Sequence, residues 1–178
     1  LRTLGRFGNA ALAISAGRLL SSHDVVVLHY PFFGGAEPLC FTKRLTGKGK
    51  LIVVYHMDVV GRGPFRWFFH GHTALMMMPM TRLADRILVT SLDYARNGDL
   101  APLIAAEPER FRELSPGVDT ARFSPGPRSS LLMKRHGIGE NDRVALMVGG
   151  LDRAHYFKGV PVFLSALAGR PIVGLKVV

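Results

Sequence analysis

The chain has 178 residues, of which 48% are hydrophobic and 20% are charged, and this composition excludes an intrinsically disordered protein. Its 23 Lys and Arg residues outnumber 13 Asp and Glu residues and give a formal net charge of +10, which attracts anionic partners such as nucleic acid, phospholipid or phosphorylated small molecules. The single cysteine, Cys40, excludes an internal disulfide and a zinc site built from cysteines.

Five short apolar runs recur along the chain at regular intervals. Each is continuous and rich in β-branched residues, which is typical of a strand buried on both faces; the runs are 24–29, 50–56, 86–90, 143–148 and 171–178. The segments between them have helical spacing, most clearly 66–83, 91–105 and 158–168. Strands that alternate with helices predict an α/β fold with a parallel sheet and helices on both faces.

The region 115–142 interrupts this alternation. It carries three prolines in its first half and glycine turns in its second. We therefore predict one α/β domain over 1–126, a linker over 127–142 and the start of a second α/β domain over 143–178. Because the sequence starts with Leu1 and stops within an apolar strand pattern, we expect it to be a fragment of a longer chain.

Candidate site residues lie at the predicted strand ends, where parallel sheets bind their ligands. His56 follows the second strand and can bond to a ligand or transfer a proton; alternatively, backbone groups satisfy it. Asp58 can orient that imidazole or cap a turn. His29, which ends the first strand, has the same two interpretations as His56. The pair Gly34 and Gly35 indicates a loop that passes close to another group.

The segment VGGLDRAHYFKGV joins the fourth predicted strand to a helix. Gly149 and Gly150 allow the backbone to approach a ligand, and a helix that begins near Lys158 and Gly159 offers N–H groups and the positive end of its dipole. Lys158 and Arg153 add two cations suited to phosphate. The segment is neither a P-loop nor a dinucleotide fingerprint. It predicts a diphosphate site, or else a plain strand–turn–helix corner with solvated cations.

The helix predicted over 66–83 is aromatic, rich in methionine and flanked by arginines. One interpretation is a core helix. The other is a partly exposed apolar face that meets a membrane or a lipid-linked substrate. His70 and His72 are two positions apart, so they point to different faces of this helix and do not form a metal pair.

With these residues in view, the chain resembles the family 4 glycosyltransferases, also called group 1, which have the GT-B fold of two Rossmann-like domains. The resemblance runs from Asp24 over nearly all of the chain. It is carried by five segments in the family's order: DVVVLHYPFFGGAE, LIVVYHMD, ADRILVTS, LSPGVDTARFSP and ALMVGGLDRAHYFKGV.

The resemblance implies that a sugar moves from a nucleotide-diphosphate sugar to a glycan or lipid-linked acceptor, with retention at the anomeric carbon and without a metal or other cofactor. Lys158 matches the family's diphosphate-binding lysine, whereas Gly150 stands where its arginine is usual and Arg153 is the expected replacement. His56 corresponds to the histidine near the transferred sugar. His29, Asp58, Gly34 and Gly35 are expected at the acceptor or sugar.

The same resemblance implies a cytoplasmic protein at the inner face of the cytoplasmic membrane, in polysaccharide or glycolipid synthesis, with contact to anionic lipid. No nucleic-acid partner is expected, since no basic run exceeds two residues. The family's glycine-rich loop and glutamate pair would lie outside these 178 residues, so we expect them to be inactive alone. Because Gly150 replaces an arginine, a non-catalytic anion-binding module or a decayed transferase stays an alternative.

Overall fold

The computed structural model describes residues 3–7, 10–61, 63, 65–151, 158–169 and 172–178. They form two compact units, Leu1–Val118 and Asp119–Val178. The predicted domain bounds at 126, 142 and 143 stay predictions. No helix in the described ranges is long and apolar enough to cross a membrane.

The first unit begins with a short antiparallel hairpin that the sequence patterns did not indicate. Its strands are β1 (Gly5–Phe7) and β2 (Ala10–Leu12). A 3-10 turn over Ile14–Arg18 and the short helix α1 (Leu19–Ser22) follow.

The main sheet has four parallel strands, which confirms the predicted α/β fold class. In spatial order they are β3 (Val25–Tyr30), β4 (Lys50–Tyr55), β5 (Arg86–Val89) and β6 (Phe111–Glu113). The first three match predicted apolar runs. The fourth has the polar sequence FRE, so its hydrophobic pattern gave no signal.

Helices connect these strands. They are α2 (Ala36–Thr46), α3 (Phe65–His72), α4 (Met78–Leu83), α5 (Leu92–Arg96) and α6 (Ala101–Ala106). A π-helical turn over Thr73–Met77 joins α3 to α4, so the helix predicted over 66–83 is confirmed as one helical stretch. The helix predicted over 91–105 is instead two helices, although Ser91 caps the first of them by accepting a bond from the Tyr94 N–H at 3.2 Å.

The hydrophobic core of the described residues lies between the sheet and its helices in the first unit. Its largest fully buried members include Tyr30, Leu51, Tyr55, Met80 and Ile87. Each buried aliphatic side chain of this size stabilises the fold by about 1.5–3 kcal/mol. Burial also raises the pKa of the Cys40 thiol to about 12, which keeps this cysteine protonated and unreactive at neutral pH.

Arg110 bonds to backbone carbonyls at the end of α4. Its guanidinium donates to the carbonyl oxygens of Thr81 at 2.7 Å, Arg82 at 3.1 Å and Ala84 at 2.5 Å, and it forms an ion pair with Glu107 at 2.5 Å. Carbonyls at the end of α4 lack partners within the helix. The arginine therefore satisfies groups that would otherwise be buried without a hydrogen bond.

Asp85 forms a charged network at the amino ends of β4 and β5. Its carboxylate accepts from Lys43 Nζ at 3.0 Å, Lys50 Nζ at 3.4 Å and the Leu51 N–H at 2.9 Å. Burial acts to raise the pKa of Asp85, but the Leu51 N–H and the Lys43 ammonium outweigh it and lower this pKa from 3.8 to about 2. The ionised form is thus stabilised by folding.

We predict that the chain loses stability in acid in a way that depends on Asp85. Because the folded-state pKa lies below the unfolded one, the contribution is fully present above about pH 4 and is lost as the pH falls through about 2. Urea unfolding at several pH values should show a shallower acid loss in Asp85→Asn than in the wild type. Identical slopes for the two proteins would contradict this role.

The second unit contains a parallel strand–helix–strand arrangement. Strand β7 (Arg143–Ala145) pairs with β8 (Leu175–Val177), and α8 (Val160–Ala168) lies between them in sequence. An earlier helix, α7 (Ser130–His136), occupies part of the predicted linker. Ser129 caps it by accepting from the Leu132 N–H at 3.4 Å, and Gly137 ends it in a left-handed conformation with φ 59°.

Candidate functional site

His29 and His56 meet at the carboxyl ends of β3 and β4. The parallel register places His29 opposite Val54 and Tyr30 opposite Tyr55, so His29 and His56 lie on the same face of the sheet. Nδ1 of His29 is 2.9 Å from Nε2 of His56, a hydrogen-bond distance, and both side chains are exposed. Each histidine is predicted from the sequence as a site residue, whereas the bond between them depends on strand register.

Asp58 lies beside this pair and has other partners. Its carboxylate accepts from the Tyr55 hydroxyl at 2.5 Å and from the Asp99 N–H at 3.4 Å, while its own N–H donates to the Tyr94 hydroxyl at 3.1 Å. Burial, followed by the hydrogen bond to Asp58 and the charge of Asp58, raises the pKa of Tyr55 well above its ordinary value. Asp58 therefore fixes the loop after β4 against α5 and its following turn.

A cleft of about 250 Å³ opens next to Asp58. It lies between the loop after β4, helix α3 and the turn that holds Asp99; its lining residues are Asp58, Val59, Val60, Gly61, Arg66, Phe69, His70, Thr73 and Asp99. Burial raises the pKa of Asp99, and the nearby Asp58 charge adds to the effect while His70 opposes it. The cleft thus combines two acidic groups with an arginine and a histidine, which suits a ligand with hydroxyls and an anionic group.

Arg66, His70 and Asp99 are members of this cleft that sequence analysis did not propose as binding residues. They come from separate segments and share no local motif. His72, two positions after His70, instead turns inward, where its Nε2 is 3.4 Å from Glu37 Oε1. The two histidines thus lie in different surroundings, and among the described residues no group of three metal-ligating side chains is close enough to hold an ion.

Gly34 and Gly35 make the close approach that the sequence predicts, and the neighbour is the protein itself. Gly34 has φ 83°, and a Cβ there would lie 2.6 Å from the Ala11 carbonyl oxygen. Its N–H donates to Glu37 Oε2 at 2.8 Å. A Cβ at Gly35 would collide with the Phe32 ring. Both glycines therefore allow the chain to pack between β2 and α2.

The two ends of the loop VGGLDRAHYFKGV lie side by side in the second unit. A Cβ at Gly149 would be 3.6 Å from Cγ of Lys158, so the lysine stem lies against the glycine backbone. Gly159 adopts φ 72° and precedes α8, whose first turn contains Pro161. Gly150 is half-buried. Arg153, the predicted second cation, lies outside the described residues.

Comparison with known proteins finds relatives that share one name. It is 38% identical over 171 residues to the D-inositol 3-phosphate glycosyltransferase of Acidothermus cellulolyticus, a match that covers 91% of this chain and 35% of that protein. It is 36% identical over 85 residues to the protein of the same name from Geodermatophilus obscurus, and this match covers 48% of this chain and 18% of that protein. No family model matches the chain. The chain spans about a third of the length of the first of these relatives.

Proposed function

Because the chain belongs to the family 4 glycosyltransferases, with a Rossmann-like parallel sheet of the GT-B kind, we propose that the full-length protein is a retaining glycosyltransferase. It moves a sugar from a nucleotide-diphosphate sugar to an acceptor. The observation that carries this proposal is the 38% identity over 91% of the chain to a glycosyltransferase. The roles of individual residues are proposals that site geometry and charge support.

Lys158 is proposed to bind the donor diphosphate. Its side chain crosses the backbone of Gly149 and stands just before α8, where helix N–H groups and the dipole favour an anion. As the bond to the sugar breaks, negative charge accumulates on the leaving nucleoside diphosphate, and fixed cations stabilise it there. Gly149, Gly150 and Gly159 would allow close backbone approach, and Arg153 would supply the second cation.

His56 is proposed to contact the transferred sugar or the β-phosphate. It is exposed at the carboxyl edge of the sheet, which is where α/β proteins bind their ligands. In this proposal no metal ion takes part, and cationic side chains of the protein neutralise the charge of the donor diphosphate.

The acceptor is proposed to enter the cleft beside Asp58. The relatives are named for D-inositol 3-phosphate, so a polyol phosphate is the first acceptor to test, ahead of a glycan or a lipid-linked sugar. Asp58 and Asp99 would accept bonds from acceptor hydroxyls, and Arg66 would pair with an anionic group. His29 lies near enough to His56 to face the same substrate.

The transfer reaction tests this proposal directly. The full-length protein is incubated with a panel of nucleotide-sugars and with D-inositol 3-phosphate, and the product is followed by NMR. We expect nucleoside diphosphate release that requires the acceptor, and a product with the donor's anomeric configuration. An inverted product would refute retention, and acceptor-independent hydrolysis would refute transfer. The 178 residues alone are expected to give no turnover.

A peripheral membrane contact at the cytoplasmic face is proposed for α3 and the turn after it. Trp67, Phe68 and Leu75 are exposed by 72%, 62% and 75%, and the Arg66 guanidinium lies 5.3 Å from the Trp67 ring centre. Apolar side chains next to a cation suit the surface of an anionic bilayer. The net charge of +10 adds long-range attraction.

Trp67 is the only tryptophan among these 178 residues, so the fluorescence of this chain reports the contact. We predict a blue shift of its emission when anionic phosphatidylglycerol vesicles are added, because the ring leaves water. High salt and zwitterionic vesicles should weaken the shift. The double substitution Phe68→Ser and Leu75→Ser should abolish it, whereas the matched change Leu131→Ser, at an exposed leucine of α7, should leave it intact. Unchanged emission with anionic vesicles would contradict the contact.

One observation favours a second function, a non-catalytic anion-binding module of the same fold. Gly150 occupies the position at which the family usually has arginine, so the diphosphate site has one cation fewer unless Arg153 replaces it. Binding of a nucleotide-sugar without transfer to any acceptor would support this second function.

A further inference from the structure

We propose that His29 is a positioning residue for His56, and that the two rings share one hydrogen and act as a single unit. This inference rests on the proposed role of His56 at the donor sugar. The unit, called the histidine pair below, consists of His29 and His56 alone.

The geometry indicates a true hydrogen bond and not a stack of rings. The two ring planes differ by 17°, so the rings are nearly parallel. Their centroids are 5.1 Å apart, whereas Nδ1 of His29 and Nε2 of His56 are only 2.9 Å apart. The rings therefore meet edge to edge through these two nitrogens. One hydrogen fits between nitrogens at this distance.

The backbone holds both rings in place. The His56 N–H donates to the Tyr30 carbonyl at 3.1 Å, which extends the pairing of β3 and β4 by one residue. Thr90 Oγ1 donates to the His56 carbonyl at 3.4 Å from the end of β5. The pair is therefore held at the ends of three adjacent parallel strands.

The shared hydrogen gives the two outer nitrogens opposite roles. A neutral imidazole has one donor and one acceptor nitrogen. If Nδ1 of His29 donates, then His56 carries its own hydrogen on Nδ1 and offers a donor to the ligand, while Nε2 of His29 offers an acceptor. If Nε2 of His56 donates, both outer roles reverse. The neutral pair thus always presents one donor and one acceptor.

This arrangement suits a sugar, because a hydroxyl both donates and accepts. It also permits a balanced proton shift, which starts from the arrangement in which Nε2 of His56 donates. A proton binds Nδ1 of His56, and the hydrogen on Nε2 of His56 moves to Nδ1 of His29. His29 then releases the hydrogen from its Nε2. Net charge on the pair does not change. The role that His56 plays toward its ligand is thereby tied to the role of His29.

The test measures the His56 tautomer directly by ¹⁵N NMR of the histidine rings in the full-length protein. We expect the wild type to give His56 nitrogen shifts of one tautomer and a coupling across the shared hydrogen. In His29→Ala the coupling should vanish and His56 should become a mixture of tautomers. Because His29 is exposed, both proteins should fold, and His29→Gln, which keeps a donor and an acceptor, should restore a single tautomer in part.

Kinetics supply the second readout. His29→Ala should lower kcat by about tenfold to a hundredfold, as for groups that orient a metal-binding histidine, with little change in the KM for the donor. In a His56→Ala background the same change should have almost no further effect. An unchanged His56 tautomer in His29→Ala would overturn the inference even if transfer is observed. A tautomer change in a protein without transferase activity would instead refute only the proposed function.

Discussion

Replacement of Lys158 by alanine in the full-length protein is expected to lower kcat/KM for sugar transfer by about 100-fold to 1,000-fold, which is the usual cost of losing one well-placed group that stabilises transition-state charge. Lys158 stands just before α8, and its stem lies against the backbone of Gly149. Its ammonium would face the diphosphate on which charge develops as the sugar leaves. The loss should fall mainly on kcat, since the charge is greatest in the transition state.

Lys134 provides the matched control for this experiment. It lies in the last turn of α7 in the same unit and is exposed, so Lys134→Ala removes an equal charge from the same part of the protein. We expect it to keep nearly full activity. Equal losses for the two variants would mean that net charge attracts the donor and that Lys158 has no local role. Lys158→Arg should restore part of the rate, because it returns a cation with different geometry.

Replacement of Arg110 by methionine is expected to lower the free energy of unfolding by about 3 kcal/mol. The change removes a charged donor from the carbonyls of Thr81, Arg82 and Ala84 and leaves Glu107 without its ion pair. Only 16% of the Arg110 side chain is exposed, so water cannot fully replace these bonds. Methionine preserves most of the apolar stem and thereby isolates the loss of the guanidinium.

Arg112→Met is the comparison for this substitution. Arg112 is exposed and donates to the carbonyls of Phe111 and Glu109, but it has no ion pair like that between Arg110 and Glu107 among the bonds of the described residues. Urea denaturation followed by circular dichroism should give a change below about 1 kcal/mol for Arg112→Met. If the two arginines cost the same, the carbonyl cluster at the end of α4 does not depend on Arg110.

The buried strands were predictable because their pattern depends on burial. The runs at 50–56 and 86–90 are apolar since most side chains of β4 and β5 are covered. In β3 buried and exposed side chains alternate, and Val25 and Val27 are exposed although they are apolar. The strand β6 was missed because its residues, FRE, pair with β5 through the backbone while two of its three side chains face solvent. Its position is determined by long-range pairing and not by local preference.

Some helix ends were predictable from local chemistry, and others were not. Ser91 and its cap followed from local chemistry, and local chemistry also marks α7, where Ser129 begins the helix and Gly137 ends it. These residues lie among prolines and glycines, so the segment 115–142 was interpreted as turns and linker. Because prolines and glycines are frequent in this segment, the seven-residue helix α7 was not predicted.

The candidate site shows which information the sequence lacks. His29 and His56 were found because each follows an apolar run, but the 2.9 Å bond between them requires the register of β3 against β4. The cleft brings together Asp58 and Asp99, which are 41 positions apart in sequence. Gly34 was expected near a ligand, yet its close neighbour in the structure is the Ala11 carbonyl. Close approach can be predicted from glycine, whereas the identity of the neighbour cannot.

The central claim is that Lys158 binds the diphosphate of a nucleotide-sugar, and equilibrium binding tests it without the complication of chemistry. Isothermal titration calorimetry of the full-length protein with a nucleoside diphosphate should show binding in the wild type and in Lys134→Ala. In Lys158→Ala, affinity should fall by about tenfold or more, the loss expected for a charge-assisted hydrogen bond. Equal affinity of wild type and Lys158→Ala for the nucleoside diphosphate would contradict the account.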